Sequence, residues 1–335
     1  MRLGIWCPAP QTIRADEETK AAFHLLGEYG GGVDQSFIYA ADILRRAEQL
    51  GFDISLIAQR YYGPDLDSWI LAAALAPLTT KIQLMAAVHP GIADPRVAAK
   101  MAVSLDRISG GRFCINIVNG LRQTEFDAYG HWLDQTGPRY RRMDEFIRIM
   151  KGLWGPDGFD FDGEFYKVRN GSLPTKSIRR PHPPLYAASR VDEGMDIVAR
   201  DCEAWFVNYE KDRGLYEQSL KRIEREMTSM DERLRRQGRS TITYGINAIV
   251  LIGKTDEQAE QLAQEHLLAV KTDSSIHVGT SGIGANLIGS PKTIVERMKR
   301  YEAMGIDLFM LHFYPMREGL ETFARTILPD LGLYS

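Results

Sequence analysis

The sequence predicts an α/β protein built as a closed (β/α)8 TIM barrel with insertions around its C-terminal rim. Eight short apolar, β-rich runs alternate with longer amphipathic stretches along the 335 residues, the signature of repeated β-α units. Most of those runs are apolar on both faces, as strands of a parallel sheet covered on both sides must be. No linker composition breaks the alternation, so residues 1–335 read as one domain; an open sheet with two domains is the alternative arrangement.

The first strand is expected over 3–7 and is followed by an irregular stretch, 8–32, whose Gly30–Gly32 triplet is a lone turn signal. A 3.6-residue apolar period then predicts a helix over 35–50, before a strand over 54–58. The next pairs are a helix over 67–78 and a strand over 82–88, then a helix over 95–108 and a strand over 113–118. Pro95 opens the third helix, where its missing N–H costs nothing. A fourth helix over 139–153 leads into an insertion, 157–183, containing Phe-Asp-Phe-Asp-Gly-Glu-Phe-Tyr-Lys-Val. Alternating residues around Asp-Gly predict a hairpin there. Strands over 184–188, 204–207 and 243–252 alternate with helices over 191–200, 212–237 and 256–270. Residues 271–289 are rich in Ser, Gly and Thr and read as a loop suited to closing over a barrel mouth, or as a plain connection. A helix over 291–304, a strand over 308–312 and a helix over 316–328 complete the pattern.

Composition excludes several classes of function. Forty-one Lys and Arg against 44 Asp and Glu give a formal charge of −3, with no excess of cations to gather nucleic-acid phosphates. No run reaches the 18 apolar residues of a membrane span, and the N-terminal residues lack a long apolar signal segment. Three scattered cysteines suit buried free thiols in a reducing cytosol, so a cytoplasmic protein is expected. Neither a close His/Cys cluster nor a His-Glu-x-x-His pair is present, and no metal site is expected.

A barrel carries its chemistry at the C-terminal strand ends, so polar residues there are the candidates. They are His89, Asn116, Asn119, Ser189, Arg190, Asn208, Asn247, His312 and Tyr314. Amides, a hydroxyl and two imidazoles suit a polar neutral or anionic ligand and do not form the carboxylate pair of a glycosidase. His89 and His312 are singled out by their strand-end placement, with a core imidazole as the bland alternative; His24, His131, His182, His266 and His277 do not share it. Two helix starts, Gly137-Pro-Arg-Tyr-Arg-Arg142 and Ala188-Ser-Arg-Val191, offer amide N–H groups, hydroxyls and guanidinium forks to an anion. Solvated surface arginines would look the same. No Gly-x-Ser-x-Gly elbow, Walker loop or dinucleotide fingerprint follows a strand.

Ordered motifs carry a resemblance that covers nearly the whole chain. They run from Ser104-Leu-Asp-Arg-Ile-Ser-Gly-Gly-Arg112 into Asn116-Ile-Val-Asn-Gly120, Glu125, Gly130 and Arg139-Tyr140, then Phe161-Asp-Gly-Glu-Phe-Tyr166 and Pro181-His-Pro-Pro-Leu185. Gly245-Ile-Asn-Ala248, Leu287-Ile-Gly-Ser-Pro291 and Gly305-Ile-Asp307 follow. Together they resemble the bacterial luciferase-like flavin monooxygenases, in the two-component, reduced-FMN-dependent branch of alkanesulfonate, dimethyl sulfone and pyrimidine monooxygenases.

The resemblance implies a TIM barrel, reduced FMN as cofactor with O2 as co-substrate, an NAD(P)H-dependent flavin reductase as supplier, and a homodimer or homotetramer. It implies that Ala87, Asn116, Asn119, Tyr140, Ser189 and Arg190 hold the flavin, Tyr140 at the phosphate. His89, Asn116, His312 and Tyr314 would be the catalytic set, and Asn208 and Asn247 would meet substrate. Relatives commonly place a non-prolyl cis peptide near Ala87. Asn247 and Ile249 replace the Arg and His of the alkanesulfonate enzymes, and Thr280 replaces another loop Arg, while Gly-Ile-Asn-Ala resembles the dimethyl sulfone branch. The implied reaction is oxidative carbon–sulfur cleavage of a small polar compound, a sulfone or sulfonate. A deazaflavin F420-dependent oxidoreductase and a non-catalytic flavin-binding barrel are the alternatives.

Overall fold

A computed structural model of the chain describes residues 1–13, 32–61, 63–120, 123–129, 136–272 and 282–333. Eight parallel strands close into a barrel: β1 (Arg2–Trp6), β2 (Ile54–Ile57), β3 (Gln83–Val88), β4 (Phe113–Ile117), β7 (Leu185–Ala187), β8 (Ala204–Phe206), β9 (Thr243–Ile252) and β11 (Leu308–Phe313). They pair in chain order, and β11 returns to β1 with Arg2 opposite Leu308. All eight expected strands are present, displaced by at most a residue or so at their ends.

Side chains alternate between the barrel interior and the helices outside. Ile54, Leu56, Met85, Cys114, Tyr186, Ala204, Phe206, Leu308 and Met310 fill the interior, with Trp6 packed against them. A second, larger cluster lies between the strands and the surrounding helices. The interior is tight enough that a Cβ on Gly4 would lie 2.7 Å from Met310 Cε. That density makes the barrel a filled core on which only the upper rim is open to chemistry.

The helices are α1 (Gln35–Gln49), α2 (Ser68–Leu75), α3 (Pro95–Ile108), α4 (Gln123–Ala128), α5 (Thr136–Trp154), α6 (Asp192–Asp201), α7 (Tyr216–Arg236), α8 (Asp256–Thr272), α9 (Pro291–Ala303) and α10 (Met316–Thr326). Asp34, Asp67 and Asp94 cap the first three, each accepting from two first-turn N–H groups.

The Ser104–Arg112 motif works at the opposite end of the barrel from the candidate site. Gly110 and Gly111 turn the chain at φ +68° and +85°, a conformation that L side chains rarely adopt. Arg112 then donates to the carbonyls of Ala76, Thr79 and Ile82 and to Thr79 Oγ1 at 2.7–3.1 Å. Buried Asp106 accepts from the N–H groups of Ile178 and Arg179, pinning the long insertion against α3.

Three local expectations are corrected. The hairpin in 157–183 is real, formed by β5 (Phe159–Asp162) and β6 (Lys167–Gly171), but Asp162-Gly163 opens a longer turn rather than forming its centre. The reason is Glu145 on α5, whose carboxylate accepts from the N–H groups of Glu164, Phe165 and Tyr166 at 2.6–3.1 Å. Within 271–289, residues 282–289 are buried structure: a single 3-10 turn, Ile283–Ala285, and strand β10 (Leu287–Gly289). β10 pairs with the upper end of β9, beyond the point where β8 has ended. The peptide bonds through Met85–His89 are trans, and the cis bonds among the described residues precede Pro181 and Pro315. Ala87 instead sits in regular strand with its carbonyl accepting from Ser68 Oγ (3.1 Å) and Trp69 Nε1 (2.9 Å). Residues 14–31 and 273–281, which include the glycine triplet's first two members and the centre of the expected closing loop, lie outside the described residues.

Glu145→Ala is expected to cost about 2 kcal/mol, since three N–H groups lose a charged acceptor. The check is a lower urea midpoint at an unchanged m-value.

Candidate active site

Strand parity brings most of the expected site residues to one end of the barrel. Ala87 and Asn116 each follow an interior residue, Met85 and Cys114, by two positions, so they project inward one layer higher, where they face each other in register. The same step from Phe206 reaches Asn208, and from Met310 it reaches His312. On β9, Gly245 lies against the Phe206 ring, which turns Asn247 inward as well.

A cavity of about 420 Å³ opens at the ends of β7, β8 and β9. Tyr140, Ser189, Arg190, Asn208 and Asn247 line it, as expected. Phe206, Tyr209 and Lys211 also line it and were not anticipated. Lys211 and Tyr209 stand on the loop after β8, within three residues of Asn208; that proximity was the signal available. Gly282 and Gly284 form part of the wall because the backbone of the β8 loop comes so close that a Cβ on Gly284 would lie 1.9 Å from the Glu210 carbonyl oxygen.

One wall is built for an anion. Ser189 and Tyr140 are both buried, with Ser189 Oγ 3.2 Å from Tyr140 Oη and accepting from Val191 N at 3.3 Å. Helix α6 begins immediately after, and its N-cap residue, Val191, has no side-chain acceptor for the first-turn N–H groups. Gly194, in that first turn, leaves the space: a Cβ there would lie 2.2 Å from both Ser189 Oγ and Tyr140 Cε1. Arg190 and Lys211 are exposed and add two cations beside it. Two hydroxyls, open helix amides and two cations fit the phosphate of a flavin mononucleotide.

Asn208 is better described as a brace than as a substrate donor. Its amide nitrogen donates to the Ser189 carbonyl (2.7 Å) and to Glu226 Oε2 (2.8 Å), which uses both of its protons. Asn247 differs: Oδ1 is buried in the cavity wall without a hydrogen-bond partner among the described residues, while Tyr209 Oη donates to the Asn247 backbone carbonyl at 2.6 Å.

The remaining candidates, Ala87, His89, Asn116, Asn119, His312 and Tyr314, lie along the rim on β3, β4 and β11 and are not among the cavity-lining residues. His89 is buried against the edge of Tyr61 (ring centroids 5.7 Å apart), and its Nδ1 has no partner among the described residues. Asn119 Nδ2 is likewise buried without one. His312 stacks on Trp6 at 5.5 Å and 9° between planes. Tyr314 Oη donates to the Thr12 carbonyl (2.8 Å) and lies 3.3 Å from His312 Nδ1. With its proton committed, Tyr314 accepts from His312, which assigns the imidazole proton to Nδ1 and leaves Nε2 as a buried acceptor without a partner among the described residues.

Burial holds both imidazoles neutral. His89 is lowered to about 3 by desolvation and then by the Arg60 guanidinium. His312 is lowered to about 3 by desolvation and then by His266. Each therefore takes up a proton on unfolding once the pH is below its ordinary 6.5, so stability falls as the pH drops through 6.5 and goes on falling toward 3. The expected slope is about 1.4 kcal/mol per pH unit for each histidine. Urea midpoints at about pH 7.5 and 5.0 check it, and His312→Gln should remove about one histidine's share. Gly130, Thr280, His24, His131 and His277 lie outside the described residues.

Comparison with known proteins identifies the family. The family described as luciferase-like monooxygenase matches residues 1–284. The chain belongs to that family. It is 30% identical over 330 residues to an FMNH(2)-dependent dimethylsulfone monooxygenase of Pseudomonas fluorescens (strain Pf0-1), covering 88% of this chain and 87% of the relative. A Pseudomonas putida protein of the same name is 29% identical over 325 residues, with 87% of each chain covered. In fold, the barrel superposes on the monooxygenase RslO1 from Streptomyces bottropensis with a TM-score of 0.79 at 18% identity, covering 99% of this chain and 100% of that one. Family membership makes the chain a flavin-dependent monooxygenase. The family match stops at residue 284, so β11 with His312 and Tyr314 belongs to the luciferase-like barrel by its pairing and not by that match.

Proposed function

We propose that this chain is a two-component, FMNH2-dependent monooxygenase that cleaves a carbon–sulfur bond in a small neutral sulfone. One observation carries the choice of substrate: the cations that line the cavity, Arg190 and Lys211, stand at the Ser189 wall, whereas Asn247 Oδ1, the buried lining atom without a partner among the described residues, belongs to a neutral amide. A buried sulfonate without a cation of its own would be costly. A sulfone offers two acceptor oxygens and no charge, which amide N–H donors such as Asn247 Nδ2 and Asn119 Nδ2 can satisfy, leaving Asn247 Oδ1 and His312 Nε2 to accept. The two Pseudomonas relatives named for dimethylsulfone support the same reading.

Tyr140, Ser189 and the first-turn amides of α6 would hold the FMN phosphate, with Arg190 and Lys211 balancing its charge. Ala87 and Asn116 would flank the ring. When bound, reduced FMN supplies the two electrons with which O2 is divided, one oxygen atom entering the substrate and the other leaving as water. Hydroxylation at the carbon next to sulfur gives an α-hydroxysulfone, whose O–H proton is lost as the C–S bond breaks, leaving a carbonyl compound and a sulfinate. His312 Nε2 would accept a hydrogen bond from that O–H, with Tyr314 and Thr12 holding its tautomer, while the proton itself passes to solvent. Asn247 would orient the sulfonyl group, and His89, kept neutral by burial, would donate or accept beside it. The dense barrel floor below keeps water from entering from beneath.

An NAD(P)H-dependent flavin reductase is the implied partner. A homodimer or homotetramer working as a single-domain enzyme in the cytoplasm completes the reading; three buried free cysteines suit that reducing compartment. The test is a reductase-coupled oxygenation screen with mass spectrometry of the products. Sulfinate and carbonyl compound formed in equal amounts from sulfones are expected; turnover with F420 and none with reduced FMN would overturn the proposal.

A further inference from the structure

We propose that Arg233, on α7, is an electrostatic positioning residue for the flavin phosphate: it holds two carboxylates of α6, Asp192 and Asp196, on the side away from the anion wall and offsets part of their charge. The inference rests on the placement of the phosphate at Ser189 and Tyr140.

Acidic side chains at an anion-binding helix start work against it, because they compete with the bound anion for the same N–H groups and the same positive end of the dipole. Helix α6 carries three, with Asp192 and Glu193 in its first turn and Asp196 one turn on. Two of the three carboxylates share one guanidinium. Arg233 donates from Nη2 to Asp192 Oδ1 and from Nη1 to Asp196 Oδ1, and reaches the Asp192 backbone carbonyl at 3.3 Å. The Arg233 side chain is 10% exposed, while those of Asp192 and Asp196 are 88% and 50% exposed. An arginine is thus buried between α6 and α7 to engage carboxylates that have ready access to water. Ordinary surface pairing does not need such burial and gains little from it. What the arrangement does achieve is geometric: Asp192 is drawn to the α7 side of its helix, beside a first turn that Val191, having no side-chain acceptor, leaves uncapped next to Ser189.

The consequence is a dependence of phosphate affinity on a residue that does not line the cavity. Arg233→Met should weaken reduced FMN binding about tenfold at low ionic strength by exposing the phosphate to two uncompensated carboxylates. Added salt should shrink the difference, since those carboxylates are exposed to solvent. Riboflavin, which lacks the phosphate, should bind both proteins equally. Adding Asp192→Asn and Asp196→Asn to Arg233→Met should restore FMN affinity without restoring the ion pair, and those two substitutions alone should tighten FMN binding.

Anaerobic titration of dithionite-reduced FMN and riboflavin at two salt concentrations, with circular-dichroism melting of each variant, gives the readouts. The Asp192→Asn/Asp196→Asn protein keeps the proposal testable if Arg233→Met does not fold: unchanged or weaker FMN binding in it overturns the proposal. Equal losses for FMN and riboflavin in Arg233→Met, or no rescue by the aspartate substitutions, also overturn it. If Tyr140→Phe and Ser189→Ala fail to weaken FMN relative to riboflavin, the fault lies instead in the phosphate placement.

Discussion

Gly194→Ala is expected to weaken reduced FMN binding about 100-fold, while leaving riboflavin binding within a few-fold of the parent protein. The new methyl group would stand 2.2 Å from Ser189 Oγ and from Tyr140 Cε1, so both hydroxyl-bearing side chains must move to admit it. Each charge-assisted hydrogen bond to phosphate is worth about 1.5–3 kcal/mol, and two are displaced together. Ser189→Ala and Tyr140→Phe, which each remove one, should fall short of it at roughly tenfold. Alanine is the better helix former by about 1 kcal/mol, which offsets part of the strain in α6 and lets a binding loss be read apart from unfolding. Anaerobic fluorescence titration is the measurement. An unchanged affinity for FMN would place the phosphate elsewhere.

The second large effect concerns Asn247. Replacing it with alanine is expected to lower kcat/KM on a neutral sulfone by about 10- to 100-fold, the range for losing one or two hydrogen bonds made in a buried site. FMN affinity should change little, because Asn247 contributes nothing to the Ser189 wall. Asn247→Arg should bring alkanesulfonates into the substrate range only where the cavity has room for the longer side chain. Stoichiometric sulfite release from linear alkanesulfonates by the unsubstituted protein, with sulfones left untouched, would sink the neutral-substrate assignment and leave the flavin chemistry standing.

How much of this was legible beforehand depended on the length over which a residue's role is decided. β9 and α3 match the expected bounds residue for residue, because ten and fourteen residues are enough for a period to declare itself. β10 has three residues, too few to show any period, and it lay in a segment whose composition suggested a loop. The hairpin turn was set by Glu145, a carboxylate from another element, which no local turn rule contains. At the site, strand ends identified the right positions but not their tasks. Asn208 and Asn247 are the same residue type on neighbouring strands. One has both amide protons committed to Ser189 and Glu226, whereas the other presents an oxygen without a partner among the described residues. Gly194 and Arg233 were invisible for the same reason: a glycine after two acidic residues and an arginine among many carry no mark until their neighbours in space are known.

The pairing of β1 with β11 has a kinetic consequence. These strands are roughly 300 residues apart in sequence, so the barrel is among the high-contact-order topologies whose closure comes late. During synthesis at about 5–20 residues per second, β1 waits roughly 15–60 s for its partner, with one edge of N–H and C=O groups unpaired. Met85, Cys114 and Phe206 then line an open trough instead of a sealed interior. Nascent chains of this protein should therefore engage holdase chaperones until β11 emerges, and substitutions in β11 should reduce soluble yield far more than substitutions of equal burial in β2, whose two neighbours are the next strands to hand.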